Sequence, residues 1–513
     1  MPEYLRAYIV VVFLFFTSFW LIKRIRPDFI DQTQLSKWRN YWILIASISF
    51  LSPNIWVYIF SLIIILVSVR SSPIEKPVFF LAILCSSPLF HFTVPGFGVI
   101  NYLIKLSYFD VLAIFLLIPI YKYRHNKSWL LNSYDKCVLV YVVLISVLAV
   151  SETSITHGTR LAVQYSLAIG LPYFVFSRAI NSPIQLQKTA YALLFCLIPM
   201  AVIGCFESLK YWKLYSSAFS HVLGEGNDLA YRLRGGSLRA NALFASPIVL
   251  GYAMVIGLGF LIYIKKYTTK TNIILGIGFL FLVSLYFTKA RGPWLGLAVL
   301  VILYLWSGPK KLSKLATLFL GGAISLIPLS LTTAGMKFIE MLPFFSSRAS
   351  HEASTVDYRL RLIEQGWLVF QKNPILGSIS YRDTPEMEVM RQGQGIIDVV
   401  NSYIHIALSY GIIGLVLFVF VFLGLLITVY KTIKSLPSSE VQLIYIGRTL
   451  FAVLGSIIFM IFTVSSIDFI PIFYWSIAGL CSAYIKICNH KRNELANPQP
   501  HPTQEASPLS SPP

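Results

Sequence analysis

The chain has 513 residues, is 56% hydrophobic and only 12% charged, and has a mean hydropathy of +0.70, whereas an ordinary soluble domain carries about 25% charged residues. This composition excludes a water-soluble globular protein, because uncharged runs recur from residue 8 to residue 486 and would expose more hydrocarbon than a soluble surface tolerates. The 42 Lys and Arg against 22 Asp and Glu give a net charge of +20, but they cluster between apolar runs, as in the cytoplasmic loops of an inner-membrane protein, so nucleic acid is not the implied partner.

Taken in chain order, the first apolar run, near 8–22, is followed by Lys23, Arg24 and Arg26 and has no Ala-x-Ala site, so it predicts a retained anchor. The run 41–69 is too long for one simple span and contains Ser52, Pro53 and Asn54. It reads as one kinked helix or a tight hairpin, which leaves the side of the N-terminus open. Further spans are predicted at 78–92, 108–121, 136–150, 160–178, 188–206, 240–263, 272–288, 292–307, 315–333, 402–430, 443–465 and 468–486.

Basic clusters at Lys122/Arg124/Lys127, Lys265/Lys266/Lys270, Lys310/Lys311/Lys314, Lys431/Lys434 and Lys486/Lys491/Arg492 assign their loops, and the C-terminus, to the cytoplasm. Alternation then puts 207–239, the turn Lys289–Pro293 and 334–400 on the opposite, periplasmic face. The expectation is an all-α polytopic membrane protein with about 12 to 15 transmembrane helices and one large, partly helical periplasmic loop. Its parts are N-terminal membrane segments (1–77), a transmembrane core (78–333), the loop (334–400), C-terminal transmembrane helices (401–487) and a tail (488–513). The tail is rich in Pro, Ser and Gln and is expected to be disordered.

Within the loop, Ser354 followed by Asp357 matches a capping box, and Leu360, Ile363, Trp367 and Phe370 follow at helical spacing. An amphipathic helix is predicted over 355–371, ending before Asn373-Pro374, with Arg359, Arg361 and Glu364 on its polar face. The six cysteines lie in or at the ends of apolar runs without C-x-x-C spacing and read as packing thiols. His91, His157, His221 and His351 fall in separate external loops, and His125, His490 and His501 in cytoplasmic segments, so no metal set is expected. Gly96-x-Gly98 beside Pro95 is a turn. No Gly-rich phosphate loop follows a strand, which argues against a nucleotide-sugar donor, and no cofactor is implied.

Three arginines fall on the external face: Arg239 ahead of one span, Arg291 in the turn between two, and Arg359 in the loop helix. An arginine near hydrocarbon depth costs a few kcal/mol on insertion scales and persists where it has an anionic partner or a task. The guanidinium fork binds phosphate bidentately at every physiological pH. Arg291 and Arg239 read equally as interfacial anchors that snorkel at helix ends.

Four strings, GSLRANALFASPIVLG (Gly236 to Gly251), LYFTKARGPWLGL (Leu285 to Leu297), DYRLRLIEQGWLVFQKNPILG (Asp357 to Gly377) and VNSYIHIALSYGIIGL (Val400 to Leu415), occur in the order and spacing of the O-antigen ligase and O-antigen polymerase superfamily. The chain resembles that family over about 200 residues. The resemblance implies a GT-C-like, inverting, metal-independent glycosyltransferase whose donor is a glycan on undecaprenyl pyrophosphate. Arg291 and Arg359 fall on the family's pyrophosphate-binding positions, and Arg239 on a further basic one. Asn401 belongs to the last signature and is a candidate glycan-binding residue.

Ligases of the family carry His-Asn where this chain has Val400-Asn401, and valine cannot take a proton. The nearest titratable groups are Asp398 and His405, which join Arg291 and Arg359 as candidate catalytic residues. Each has a plainer reading, Asp398 as a capping or loop carboxylate and His405 as a hydrogen-bonding helix-face residue. The missing histidine favours a polymerase of O-antigen, capsule or exopolysaccharide over a ligase that transfers the glycan to a lipid A core or a protein. A lipid-linked glycan transporter is the alternative of another class, although transporters usually show paired repeats. The expected partners are the lipid-linked donor, a glycan acceptor, the bilayer, a flippase and a chain-length regulator.

Overall fold

The structure is a computed structural model and describes residues 1–98, 100–123, 132–224, 226, 229–234, 236–332, 335–336, 350–392, 395 and 397–496. Of the predicted tail 488–513, residues 488–496 are helical rather than disordered, and those from 497, with the basic residues Arg124 and Lys127 and with His125 and His501, lie outside the described residues. The helices in chain order are α1 (Glu3–Arg24), α2 (Gln32–Leu51), α3 (Ile55–Val67), α4 (Lys76–Ile83), α5 (Tyr108–Leu112), α6 (Ile118–Tyr123), α7 (Ser133–Glu152), α8 (Ile155–Tyr165), α9 (Leu171–Ala179), α10 (Pro183–Lys210), α11 (Ser216–Leu223), α12 (Pro247–Ile264), α13 (Thr271–Phe287), α14 (Arg291–Trp306), α15 (Lys311–Ser330), α16 (Ser350–Lys372), α17 (Pro385–Glu388), α18 (Ser402–Ser435), α19 (Val441–Met460) and α20 (Ile470–Ala496). One-turn π-helical segments join α5 to α6 and α8 to α9, so each pair runs as one rod.

Among the described residues seven helices are long and apolar enough to cross a membrane, and four shorter apolar ones accompany them. The protein is a mostly helical, multi-pass membrane protein. α10 forms its centre: 89% of its apolar window is enclosed by protein, against 33% for α18, whose outer side is left to lipid. Ser182 caps α10 through the Gln185 amide with Pro183 behind it, and Tyr211 in the left-handed region ends it. The ambiguous run 41–69 is a hairpin. Asn54 caps α3 through the Trp56 and Val57 amides, and the Tyr41 hydroxyl in the middle of α2 reaches the Ser68 carbonyl beyond the end of α3.

Three expectations are corrected. The described chain is not all helix: β1 (His91–Pro95) and β2 (Tyr102–Ser107) pair antiparallel across the Gly96–Gly98 turn, and β3 (Leu233–Arg234) pairs with β4 (Ser237–Leu238). The predicted span 78–92 is therefore a short helix followed by irregular chain and a strand. The loop helix starts at Ser350, one turn before the predicted capping box, so Ser354 lies inside it. Its apolar stripe does not pack on the protein: Leu362 and Val369 are buried, whereas Leu360, Ile363 and Trp367 are 55%, 54% and 58% exposed, and Arg359, Arg361 and Glu364 of the predicted polar face are exposed as well. All six cysteines are free, Cys137 and Cys205 being only half-buried.

Away from the loops, the bundle is tied by Asp135, which is fully buried. It accepts from Arg178 at 3.0 Å, Lys486 at 3.4 Å and the Tyr173 hydroxyl at 2.9 Å, joining α7, α9 and α20. At the same end Arg448 donates to the Tyr304 carbonyl and lies over the Tyr304 ring.

Candidate functional site

The site is built on the short connector 461–469 between α19 and α20, at the end of the bundle away from Asp135. Three segments meet it, two of which carry Arg291 and Arg239, while the third carries Asp398, whose charge Arg359 feels. First, Gly292 abuts it so closely that a Cβ there would lie 2.6 Å from Thr463 Oγ1, which fixes the N-terminus of α14 and hence Arg291, its first residue. Second, Ser465 donates to Asp398 Oδ1 at 2.8 Å and to the Val399 carbonyl at 3.0 Å. Third, Asp468 receives a hydrogen bond from the Ala245 backbone and feels the charge of Arg232, which binds the 232–246 loop.

Arg239 belongs to that loop and is held against the turn that leads into Arg291. Its Nε donates to the Thr288 carbonyl at 2.9 Å, Arg234 donates to the Lys289 carbonyl at 3.0 Å, and the Ala240 amide donates to the Phe287 carbonyl at 3.0 Å. Burial beside Arg234 and Arg232 pushes the Arg239 pKa down to about 10. Arg291 is half-buried at a helix N-terminus, where the helix dipole already places positive potential. Two further guanidinium groups crowd that end, so the local field favours an anion.

Arg359 feels the charge of Asp398. Protein packed around its guanidinium lowers its pKa, and the Asp398 charge raises it again, although part of the side chain faces solvent. Tyr358 ties the same helix to the Asp398 carbonyl at 3.1 Å. Arg361 points elsewhere and pairs with Asp357 at 2.9 Å, both side chains more than half exposed.

A buried pair under the arginines was not legible in the sequence. Glu207 at the end of α10 accepts from the Ala242, Asn241 and Leu214 amides at 2.9, 3.3 and 3.2 Å, and Lys213 stands 3.9 Å away. Lys213 in turn donates to the Arg239 carbonyl and Asn241 Oδ1. Burial pushes the Lys213 pKa down, Glu207 opposes that, and Arg239 and Arg232 add to it. A lone carboxylate at the end of the apolar run 188–206 was the available signal. Asp468, Ser465 and Arg232 gave none, since only the fold sets them beside the arginines.

Asn401 and His405 have structural partners. Asn401 caps α18, its Oδ1 accepting from the Tyr403 and Ile404 amides at 2.9 and 3.2 Å, so the oxygen expected to bind glycan is engaged. His405 Nδ1 meets the Tyr381 hydroxyl at 2.9 Å and Ser409 Oγ at 3.3 Å, and Arg382 donates to the same hydroxyl at 3.1 Å. This is the hydrogen-bonding reading of His405. Tyr381 feels the Asp398 charge and so connects the two candidates. Among the described residues no three His, Cys, Asp or Glu side chains converge as a metal set.

The chain is thus a helical, multi-pass membrane protein with Arg239 and Arg291 held together at one end of its bundle. Residues 276–419, which include Arg291, Arg359, Asp398, Asn401 and His405, match the family model described as O-Antigen ligase, which supports the resemblance to the O-antigen ligase and polymerase superfamily over that stretch. No curated protein matches the chain significantly.

Proposed function

We propose that the chain is an inverting, metal-independent membrane glycosyltransferase that polymerises undecaprenyl-pyrophosphate-linked oligosaccharides into O-antigen, capsular or exopolysaccharide. The observation that carries this reading is the meeting of the Arg239, Arg291 and Asp398 segments on the 461–469 connector, with Arg359 within reach of the Asp398 charge. In the reaction an acceptor hydroxyl attacks the anomeric carbon of the donor, the bond to the lipid pyrophosphate breaks, and the departing group carries the charge. Fixed guanidinium groups stabilise that charge without solvent reorganisation. Arg291 and Arg239 bind the pyrophosphate from the membrane side and Arg359 from the loop. Asp398, held by Ser465, receives the acceptor proton, and Asn401 and His405 keep the start of α18 in place.

The site faces the periplasm of the bacterial inner membrane, the C-terminus lies in the cytoplasm, and 12 to 15 segments cross. The ligase reading, with transfer to a lipid A core or a protein, is favoured by the description of the matching family, and the polymerase reading by Val400 in place of a proton-accepting side chain. Purified protein in lipid, given lipid-linked oligosaccharide alone, separates them: a polymerase builds a ladder, and a ligase needs an added acceptor.

A further inference from the structure

The loop helix α16 carries five charged side chains in Asp357–Lys372 (Asp357, Arg359, Arg361, Glu364 and Lys372) and is not a span, yet it turns Leu360, Ile363 and Trp367 outward, each more than half exposed. Trp367 stacks on Phe370 at 5.7 Å between ring centroids, which widens the same stripe. The opposite face is occupied, because Leu362 and Val369 are buried and Gly366 lies against Ile404 and Leu408 of α18. A third face is polar, with the Asp357–Arg361 ion pair and Glu364.

The apolar stripe is continuous with a surface that must meet lipid. After α16 the chain joins the kink of α18, where the Ile412 amide donates to the Pro374 carbonyl at 2.9 Å and the Ser378 amide to the Leu408 carbonyl at 2.8 Å. Ile375, 60% exposed, thereby stands beside Ile412 and Ile413, which begin the outward row of α18 that continues through Val416. α18 is a membrane span with only a third of its apolar window enclosed.

We propose that α16 is an interfacial helix that lies in the bilayer leaflet at the site end of the bundle, with Leu360, Ile363 and Trp367 in lipid and Arg361 and Glu364 in water. Three apolar side chains on one face, one of them tryptophan, flanked by a charged face, with protein behind them, suit a helix at the headgroup boundary. Arg359 then sits on the border of the stripe, about 40° from Ile363 round the helix. An anion carried on a lipid reaches Arg359 along the membrane surface without leaving it. The inference stands apart from the glycosyltransferase reading, since it needs only the helix and the bilayer.

Photo-cross-linking in native membranes tests it, with p-benzoylphenylalanine introduced at one position at a time in the full chain. Positions 363 and 367 should cross-link to phospholipid as strongly as the control position 416 on α18, and positions 361 and 364 at least fivefold less. Cross-links from 363 and 367 to another segment of this chain or to another protein, or equal yields at all four loop-helix positions, would overturn the proposal. Because the readout needs no turnover, an inactive enzyme with the lipid pattern intact would count against the glycosyltransferase reading alone.

Discussion

Gly377 and Gly411 both take up left-handed backbone and approach so closely that a Cβ on Gly377 would lie 2.5 Å from the Gly411 nitrogen, while one on Gly411 would lie 2.1 Å from the Ile375 carbonyl oxygen. No other residue type fits either position, and the contact docks the loop that carries Arg359 on the kink of α18.

Gly411→Ala should therefore release the loop without removing any charged group. We expect a cost of about 1–3 kcal/mol from backbone strain, at least a tenfold loss of transferase rate, and normal amounts of protein in the membrane. A variant with wild-type rate would show that the loop is held by other contacts.

Glu207 accepts from three backbone amides and stands opposite one buried ammonium, so Glu207→Ala leaves three buried amides short of a partner and Lys213 without its counter-charge. Breaking a buried pair in this way costs about 3–5 kcal/mol. Thermal unfolding in detergent should show a clear fall in Tm, and Glu207→Gln, which keeps the amide contacts in part, a smaller one.

Asp135→Ala serves as the contrast at the far end of the bundle, since it removes the buried carboxylate that Arg178 and Lys486 share. It should lower Tm as severely as Glu207→Ala, by the same buried-charge argument. The surviving protein should keep its KM for the lipid-linked donor. A raised KM would mean that the two ends are coupled.

Burial raises the Asp468 pKa from its ordinary 3.8 to about 6, and Arg232 and the Ala245 amide only partly oppose this. A carboxyl whose folded pKa is raised contributes its stability below the unfolded value, and that contribution is lost as pH rises through the folded value. Asp468→Asn should remove this contribution, so that Tm changes less than in the wild type between pH 4 and pH 6.5. Identical pH profiles would mean that Asp468 is solvated in the membrane.

The helical, multi-pass class follows from apolar runs, because the demand that lipid makes on the backbone is local and every span must be a long uncharged helix. The 91–107 hairpin is hidden between two such runs: Thr93, Val94, Tyr102 and Ile104 favour strand, but their apolar character merges with the neighbouring spans. For α16 the period was legible and its direction was not. Leu360, Ile363 and Trp367 announce one apolar face, but in a membrane protein that face has two apolar surroundings to choose from, the protein core and the bilayer. Arg291 and Arg359 stand out as charges at chain positions near lipid. Their common support, Thr463, Ser465 and Asp468, is an ordinary polar turn until the fold brings it under them.

The central claim is that Arg291 and Arg359 hold the departing pyrophosphate, and its most direct test is glycan chain length and initial rate in Arg291→Ala, Arg291→Lys, Arg359→Ala and Arg361→Ala, measured with lipid-linked oligosaccharide in excess EDTA. Losing one leaving-group donor typically costs on the order of 100-fold in rate, and lysine keeps the charge without the planar fork. The account predicts activity of the wild type in EDTA, at least a 100-fold loss for Arg291→Ala and Arg359→Ala, nearly as large a loss for Arg291→Lys, and less than a twofold change for Arg361→Ala, whose exposed ion pair with Asp357 contributes little. Wild-type chain lengths from both the 291 and 359 variants, or activity abolished by EDTA and restored by magnesium, would contradict it.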